Sequence, residues 1–332
     1  MRLYEELERI VREETESCSS VLQMKALNAF QEWFDLSGET ESRFCRKIRD
    51  RIKTTFQKRD RGAARQVLNS ISQRFAIQSL VDAKRLQTDR RYVAETTREN
   101  ALALNHKRRQ GGGSLFLGTA RSKPGEVEYE RAQELAREVA CLCPESTIWS
   151  GAGPGDMDAT IRGAKEVGSA VGGVKIHLTE EQSAFEQNIS DAFDPDEVVE
   201  CQYFHPRKVG LAHAATREGA EERTAVFCLP GGFGSMDEFF EFLTLMQLKI
   251  IGKDYPIPIY LMNYDGEYDG IIAFADRALQ DKRISKADHQ LIRICTSNKE
   301  ALDNFADFYE ISEERRTYAA RLRNWSEQKN TT

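Results

Sequence analysis

Long apolar runs are missing from this sequence. No stretch approaches the roughly 18 consecutive apolar residues that a membrane helix needs, so we do not expect the chain to span a membrane. The first residues, MRLYEELERIVREE, lack the apolar segment and the small-residue cleavage site of a secretory signal. Export is therefore not expected, and we predict a cytoplasmic protein.

Patterns of paired cysteines or histidines are missing as well. The 7 cysteines are odd in number and include no C-x-x-C pair, which argues against a disulfide framework. The 5 histidines form neither H-x-x-x-H nor H-E-x-x-H, the spacings of many zinc sites. The sequence therefore predicts a reducing compartment, with no metal and no cofactor.

Proline is absent from the first third of the chain, where apolar residues recur at helical spacing. This pattern predicts a helical region over residues 1–110. The region holds 23 Lys and Arg against 16 Asp and Glu, a net charge of +7, and leaves 24 against 37, or −13, for the remainder. A basic module can bind nucleic acid, but charges that alternate along helices are more often a solvated surface. We do not expect nucleic-acid binding, and the sequence does not say what this region does.

After three consecutive glycines at 111–113, short apolar runs alternate with amphipathic helices. That alternation is typical of a parallel sheet covered on both faces. The predicted strands are 114–118, 147–150, 171–178, 224–229 and 257–262, with weaker candidates at 198–203 and 291–296. We predict a doubly wound, mostly parallel α/β domain of Rossmann-like type over 111–311, preceded by the helical extension and followed by a helical C-terminal tail at 312–332.

The most informative stretch is TAVFCLPGGFGSMDEFFEFL, which predicts a strand, a glycine-rich turn and a helix. Pro230 ends the strand, and Gly231, Gly232 and Gly234 are expected to turn the backbone with positive φ. The helix is expected to begin at about Ser235. Unpaired amides at the start of a helix, together with its dipole, suit a phosphate group.

Two interpretations of Ser235 and Glu238 remain open from their spacing. The S-x-x-E pattern is that of a capping box, in which the glutamate bonds back to the helix start. Alternatively, Glu238 is a carboxylate of an active site and points along the ligand toward its sugar. Three glycines in five positions are more than a cap requires, and Asp237 is expected only to favour the helix start.

Two further turns follow predicted strands at the same edge of the sheet. One contains Gly151, Gly153 and Gly155, and the other is FLGTA at 116–120. The dinucleotide fingerprint G-x-G-x-x-G needs a glycine where Asp156 stands, so a dinucleotide site is disfavoured. Open α/β sheets bind ligands at the carboxyl ends of their strands, where these turns are expected to meet.

These motifs resemble those of the LOG-type proteins, which are cytokinin riboside 5′-monophosphate phosphoribohydrolases and bacterial nucleotide 5′-monophosphate nucleosidases, once misnamed lysine decarboxylases. The motif P-G-G-x-G-T-x-x-E is present at 230–238, with Ser235 in place of threonine. The R-K pair is Arg207 and Lys208, G-G-G-x-x-G-x-M corresponds to 151–157, and F-x-G-S/T-A to 116–120. The resemblance extends over residues 113–309.

The resemblance implies hydrolysis of a nucleoside 5′-monophosphate to free base and ribose 5-phosphate, with Arg207 and Glu238 as the catalytic pair. It assigns the phosphate and ribose to Gly118, Thr119, Lys208, Gly231, Gly232, Phe233, Gly234 and Ser235, and the base side to Gly151, Gly153, Gly155 and Met157. It also implies a homodimer or a larger even assembly.

A second function stays open from the sequence. Proteins of related fold hold a nucleotide or a molybdopterin-like cofactor without cleaving it, and such a carrier needs the phosphate loop but no catalytic pair. Glu238 and Arg207 favour the enzyme. His205, next to the R-K pair, is expected to be structural or exposed. Ala152 and the acidic stretch 180–197 depart from the family pattern, which leaves the identity of the base open.

Overall fold

The computed structural model describes residues 83–178 and 190–325, and residues 83–90 by their backbone alone. The predicted helical region therefore lies outside the described residues up to residue 82, as does the end of the predicted tail. Its described part is helix α1 (Ala83–Gln110), which ends in three basic residues beside the negative end of the helix dipole. Gly111 follows with a φ of 87°, a conformation that ends a helix most easily at glycine.

Residues from Glu95 onward pack as one compact unit, built from seven strands with helices between them. The strands are β1 Gly113–Leu117, β2 Thr147–Ser150, β3 Val171–Ile176, β4 Val198–Cys201, β5 Val226–Cys228, β6 Ile259–Met262 and β7 Ile292–Cys295. The helices after α1 are α2 Val127–Leu142, α3 Asp156–Glu166, α4 Phe204–Ala215, α5 Phe233–Gln247, α6 Asp269–Gln280, α7 Lys286–His289 and α8 Asn298–Phe308. Short 3-10 turns follow at Glu313–Arg315 and Thr317–Ala320. Within the described ranges, no helix is both long and apolar enough to cross a bilayer.

The seven strands form one parallel sheet in the order β4-β3-β2-β1-β5-β6-β7. The predicted doubly wound α/β fold is confirmed, and each predicted strand is present. The two strands that the sequence indicated weakly, β4 and β7, are the edges of the sheet. They are only partly buried, whereas the central strands are buried throughout, and this is why their apolar pattern is diluted.

Helices cover the sheet on both faces over separate apolar clusters. On the face of α2, α3 and α8, the rings of Phe116, Phe227 and Tyr260 stack across β1, β5 and β6 with centroids 4.8 and 4.9 Å apart. On the face of α4 and α5, Leu115 and Trp149 are fully buried. Successive residues of β1 therefore serve opposite cores, as the alternation of side chains along a strand requires.

The strand order creates a crevice at one place in the sheet. From β1 the chain moves outward through β2, β3 and β4, and it then returns to add β5 on the other side of β1. The connections after β1 and β5 leave toward opposite faces of the sheet, so their loops separate above its carboxyl edge. Ligands of doubly wound proteins bind at such a switch point.

Candidate active site

A cleft of about 740 Å³ lies at this switch point, between the loops that follow β1 and β5. The first turn of α4 and the start of α5 form further parts of its wall. The predicted site residues that line it are Gly118, Thr119, Gly151, Met157, Arg207, Gly231, Gly232, Phe233, Gly234, Ser235 and Glu238. Three loops and three helices that are distant along the chain thus supply one surface.

The glycine loop of β5 ends in a helix that starts earlier than the sequence suggested. Helix α5 begins at Phe233, and its N-cap is Gly232, which has no side chain to bond the amides of the first turn. The expected start at Ser235 is therefore wrong by two residues. The expected positive φ at Gly231, Gly232 and Gly234 is also wrong, since Gly232 has a φ of −92° and all three lie outside the left-handed region.

Of the three, only Gly231 is required for space within the protein itself. A Cβ on Gly231 would clash with the Ser235 side chain, whereas a Cβ on Gly232 or Gly234 would meet nothing within 4 Å. The backbone above the helix start therefore faces open space in the cleft. An anion placed there can approach the first-turn amides closely.

Ser235 connects the two loops of the crevice. It is the third residue of α5, and its hydroxyl donates a hydrogen bond of 2.9 Å to the carbonyl of Gly118, at the end of β1. The capping box that its spacing suggested does not form, because Ser235 does not occupy the N-cap position. The hydroxyl instead holds the loop after β1 against the loop after β5.

Glu238 forms an ion pair with Arg207 across the cleft wall. The Arg207 Nη1 donates to Glu238 Oε1, and the two side chains are only 12% and 9% exposed. Burial raises the pKa of Glu238 above its usual range, and the positive charge of Arg207 opposes that rise. The glutamate therefore faces the cleft and its arginine, and it does not fold back on its own helix.

Gly151 gives Arg207 the room to reach this position. A Cβ on Gly151 would overlap with the Nη2 atom of Arg207 and approach the sulfur of Met157. The Nε of Arg207 is buried and has no hydrogen-bond partner among the described residues. The guanidinium thus lies close to both Gly151, directly after β2, and Glu238.

Three predicted residues are not among those that line the cleft. The ammonium of Lys208 pairs with Asp237 at 2.9 Å and Glu241 at 3.1 Å on α5. Gly155, at a φ of 70°, packs beneath the backbone of the loop after β1, and Gly153 contacts Met157. His205 is exposed and does not line the cleft.

Several lining residues were not predicted from the sequence. Arg121 lies one residue beyond the F-x-G-S/T-A motif. Tyr268 is the tyrosine of a G-x-Y-D run at 266–269 and donates a 2.6 Å hydrogen bond to the Leu229 carbonyl. Ile176 and Phe204 belong to an apolar part of the wall. Proximity to a motif was the signal available for Arg121, and the G-x-Y-D run was the signal for Tyr268, whereas the apolar residues carry none.

Comparison with known proteins shows which family this chain is similar to. A family model described as "Possible lysine decarboxylase" matches residues 157–305. The chain is 36% identical over 98 residues to the probable cytokinin riboside 5′-monophosphate phosphoribohydrolase LOGL5 of Oryza sativa subsp. japonica, and 26% identical over 194 residues to the cytokinin riboside 5′-monophosphate phosphoribohydrolase LOG4 of Arabidopsis thaliana. The chain is therefore similar to proteins of the LOG family.

The matches to LOG-family relatives differ in extent. The match to LOGL5 covers 30% of this chain and 38% of that relative, while the match to LOG4 covers 58% of this chain and 81% of the relative.

Solved structures similar to this chain include the molybdenum cofactor binding protein of Rippkaea orientalis, with 16% identity and a TM-score of 0.38. That similarity covers 59% of this chain and 94% of the other. The molybdenum cofactor carrier protein of Chlamydomonas reinhardtii is 15% identical, with a TM-score of 0.37, over 64% of this chain and 100% of the other.

Proposed function

We propose that the cleft hydrolyses the N-glycosidic bond of a nucleoside 5′-monophosphate to give free base and ribose 5-phosphate. One observation carries the proposal: the buried pair of Glu238 and Arg207 lies in the same cleft as a helix start with unoccupied amides. A phosphate held by those amides places a pentose beside the carboxylate one turn further along α5.

The phosphate end of the substrate is assigned to the first turn of α5 and the loop after β1. The amides at Phe233 and Gly234 carry the positive end of the helix dipole, and no side chain lies over Gly232 or Gly234. Arg121 lines the same cleft and adds positive charge. These features suit a phosphate monoester better than a neutral group.

Glu238 is assigned to the ribose. Cleavage of the bond between C1′ and the base nitrogen leaves both bonding electrons on the base and positive charge on the sugar ring. A carboxylate beside C1′ stabilises that charge and accepts a proton from the attacking water, whose oxygen forms the new bond to C1′. Its raised pKa makes Glu238 a stronger base than an exposed glutamate.

Arg207 is assigned to orientation and charge. A guanidinium stays protonated in proteins and cannot take a proton from water. Its contact with Glu238 fixes the carboxylate, and its positive charge is assigned to the stabilisation of negative charge on the phosphate or the departing base. The base itself is assigned to the apolar wall near Met157, Ile176 and Phe204.

Incubation of the full chain with a panel of nucleoside monophosphates, followed by chromatography for free base and ribose 5-phosphate, tests this function. Glu238→Gln and Arg207→Ala are each expected to lower turnover by at least about 100-fold, the usual scale for loss of such a group. Asp237→Asn is the matched control, since Asp237 is the neighbour on α5 and its side chain is 55% exposed. Turnover that survives Glu238→Gln contradicts the assignment.

A carrier function predicts a different outcome from the same experiment. A protein that only holds a nucleotide or a molybdopterin-like cofactor binds its ligand without releasing any base. Retention of nucleoside monophosphate with no base released over the whole panel therefore selects the carrier. The Schiff-base chemistry of a lysine decarboxylase is not supported, because no lysine is among the described residues that line the cleft.

The proposal includes a homodimer or larger even assembly, as the family resemblance implies, and a location in the cytoplasm, as the cysteine pattern predicts. Large apolar side chains on and near α5 are exposed, among them Leu248, Ile250 and Phe274, at 62%, 64% and 58%. A group of exposed apolar side chains on one part of the surface is typical of a protein–protein interface.

A further inference from the structure

Asp156 is a buried carboxyl group directly behind the loop after β1. It is the first residue of α3 and is only 2% exposed. Its Oδ2 accepts a hydrogen bond of 3.1 Å from the Thr119 amide, and its Oδ1 accepts one of 2.5 Å from the Ser122 hydroxyl. None of the salt bridges found within residues 91–178 and 190–325 includes Asp156.

These contacts fix the part of the loop that faces the cleft. The amide of Asp156 donates to the Thr119 carbonyl at 2.9 Å, so Asp156 bonds the peptide groups on both sides of Thr119. A Cβ on Gly118 would lie 2.5 Å from the Asp156 Oδ2, which means that the carboxyl group packs against the Gly118 backbone. The carbonyl of Gly118 in turn accepts the Ser235 hydroxyl of the phosphate end.

The surroundings of this carboxyl group supply hydrogen-bond donors but little positive charge. Besides Ser122 and Thr119, the groups that interact with it electrostatically are Glu128 on α2 and, from the segment after β6, Tyr264 and Tyr268, whose hydroxyls donate to Asn298 and to the Leu229 carbonyl. Burial raises the pKa of Asp156, the two donated hydrogen bonds oppose the rise and the nearby charge of Glu128 adds to it, so that the pKa is raised to about 7. Asp156 therefore changes its charge near neutral pH.

We propose that Asp156 is a positioning residue for the phosphate end of the cleft, and that its protonated form is the state that accepts a phosphate dianion. The proposal rests on the proposed function for the identity of the substrate. A neutral carboxyl group still accepts the Thr119 amide and holds the loop. An ionised one adds negative charge behind the same loop, in a poorly solvated place where like charges repel strongly.

The first measurement compares KM for a cleaved nucleoside monophosphate between the full chain and its Asp156→Asn variant across pH. Asparagine keeps a carbonyl oxygen for Thr119 and carries no charge. The ratio of the two KM values cancels the ionisation of the substrate phosphate. The ratio of KM for the full chain to KM for Asp156→Asn is expected to rise about tenfold from about pH 6 to about pH 8. A tenfold rise is the limit for a group with a pKa of about 7 that must be protonated for the substrate to bind.

The ratio of kcat values is expected to stay constant over the same range, because Asp156 does not touch the bond that breaks. A merely structural role for Asp156 changes KM and kcat without a step near neutral pH. A flat KM ratio overturns the proposal, and so does a step that appears in kcat alone.

Two further variants are expected to move the pH at which KM changes in opposite directions. They test the proposal even if Asp156→Asn does not fold. Ser122→Ala removes a hydrogen bond that favours the ionised form, so the step in KM is expected at higher pH. Glu128→Gln removes a nearby negative charge, so the step is expected at lower pH. Shifts of the same sign, or no shift in either variant, overturn the proposal.

Binding of ribose 5-phosphate separates this inference from the proposed function. Its dissociation constant is measured by calorimetry at the same pH values for the full chain and Asp156→Asn, with ribose as the control without a phosphate. If no nucleotide is cleaved but the ratio of dissociation constants shows the step, the proposed function fails and the role of Asp156 stands. Absence of binding, or binding without a step, overturns the role of Asp156 whether or not nucleotides are cleaved.

Discussion

The charge of Glu238 depends on two opposing effects at the scale of a single residue. Burial disfavours its ionised form, and the guanidinium of Arg207 favours it. The net effect is a pKa above the usual value of a glutamate. A buried, ionised carboxylate lowers the stability of the fold even beside a cation. Buried charges of this kind are concentrated at functional sites.

The first prediction concerns the pH dependence of cleavage. Activity needs the ionised form of Glu238, whose fraction falls as pH decreases through the raised pKa, so kcat/KM is expected to fall on the acid side at a higher pH than for an exposed glutamate. Arg207→Met removes the opposing cation and raises the pKa further. In the residual activity of that variant the acid limb is expected to move to higher pH, and a limb that stays in place argues against Glu238 as the base.

At the scale of one element, the first turn of α5 has amides that no side chain of the N-cap covers. Its N-cap is Gly232, its second residue is Gly234, and the space over both is open. Glycine inside a helix is less stable than alanine by about 0.5 to 1 kcal/mol. The sequence therefore retains a weak helix former where a ligand needs to approach.

The second prediction follows from this loss of helix stability in favour of space for a ligand. Gly234→Ala strengthens the helix but places a methyl group over the phosphate end, so the free energy of unfolding is expected to rise by up to about 1 kcal/mol while KM rises about tenfold. Urea unfolding and steady-state kinetics measure the two effects. Gly219→Ala is the control, since its Cβ also meets nothing within 4 Å and the residue is not among those that line the cleft. Tighter binding by Gly234→Ala contradicts the assignment of the phosphate.

A second feature at the scale of one element is the segment that follows the last 3-10 turn. Carboxylates on α2 bind this segment. Glu138 is fully buried and accepts hydrogen bonds from Arg321, and Glu134 accepts from the indole of Trp325 at 3.0 Å. Glu130 pairs with Arg323 nearer the surface. Three glutamates spaced four residues apart on α2 thus bond one short segment of chain.

The third prediction compares two arginines of this segment. Arg321→Ala leaves the buried Glu138 with Arg137 as its remaining cation, and the free energy of unfolding is expected to fall by about 1 to 3 kcal/mol. Arg323→Ala removes an ion pair that is partly exposed on both sides, with an expected loss below about 1 kcal/mol. Equal losses in urea unfolding contradict the distinction between the buried and the exposed pair.

At the scale of the whole molecule, exposed apolar side chains are concentrated around α5. The ring of Phe240 contacts that of Phe274, with centroids 6.1 Å apart, and Phe274 remains 58% exposed. Phe233 is 98% exposed at the start of the same helix, where it also lines the cleft. An assembly that covers this side of α5 therefore comes close to the active site.

The fourth prediction concerns that assembly. The mass in solution is expected to be that of a dimer or a larger even multiple, and Phe274→Glu or Ile250→Glu is expected to shift it toward the monomer, because a charge replaces buried apolar area. Light scattering coupled to size exclusion measures the mass over a range of concentrations. Val167→Glu, at a 41% exposed position after α3, is the control. A mass that responds equally to all three substitutions places the interface elsewhere.

The sequence by itself determined the seven strands, their parallel doubly wound class and the glycine loop before α5, because the period of apolar residues records whether each segment is buried on one face or on both. Only the tertiary structure decided that β5 returns beside β1, that Arg207 meets Glu238, and that Asp156 supports the loop at Thr119. The sequence also did not predict the helix start at Phe233, because a glycine at the N-cap has no side chain that marks the position. Contacts between residues 31 or 37 positions apart depend on strand order, and strand order leaves no local pattern along the chain.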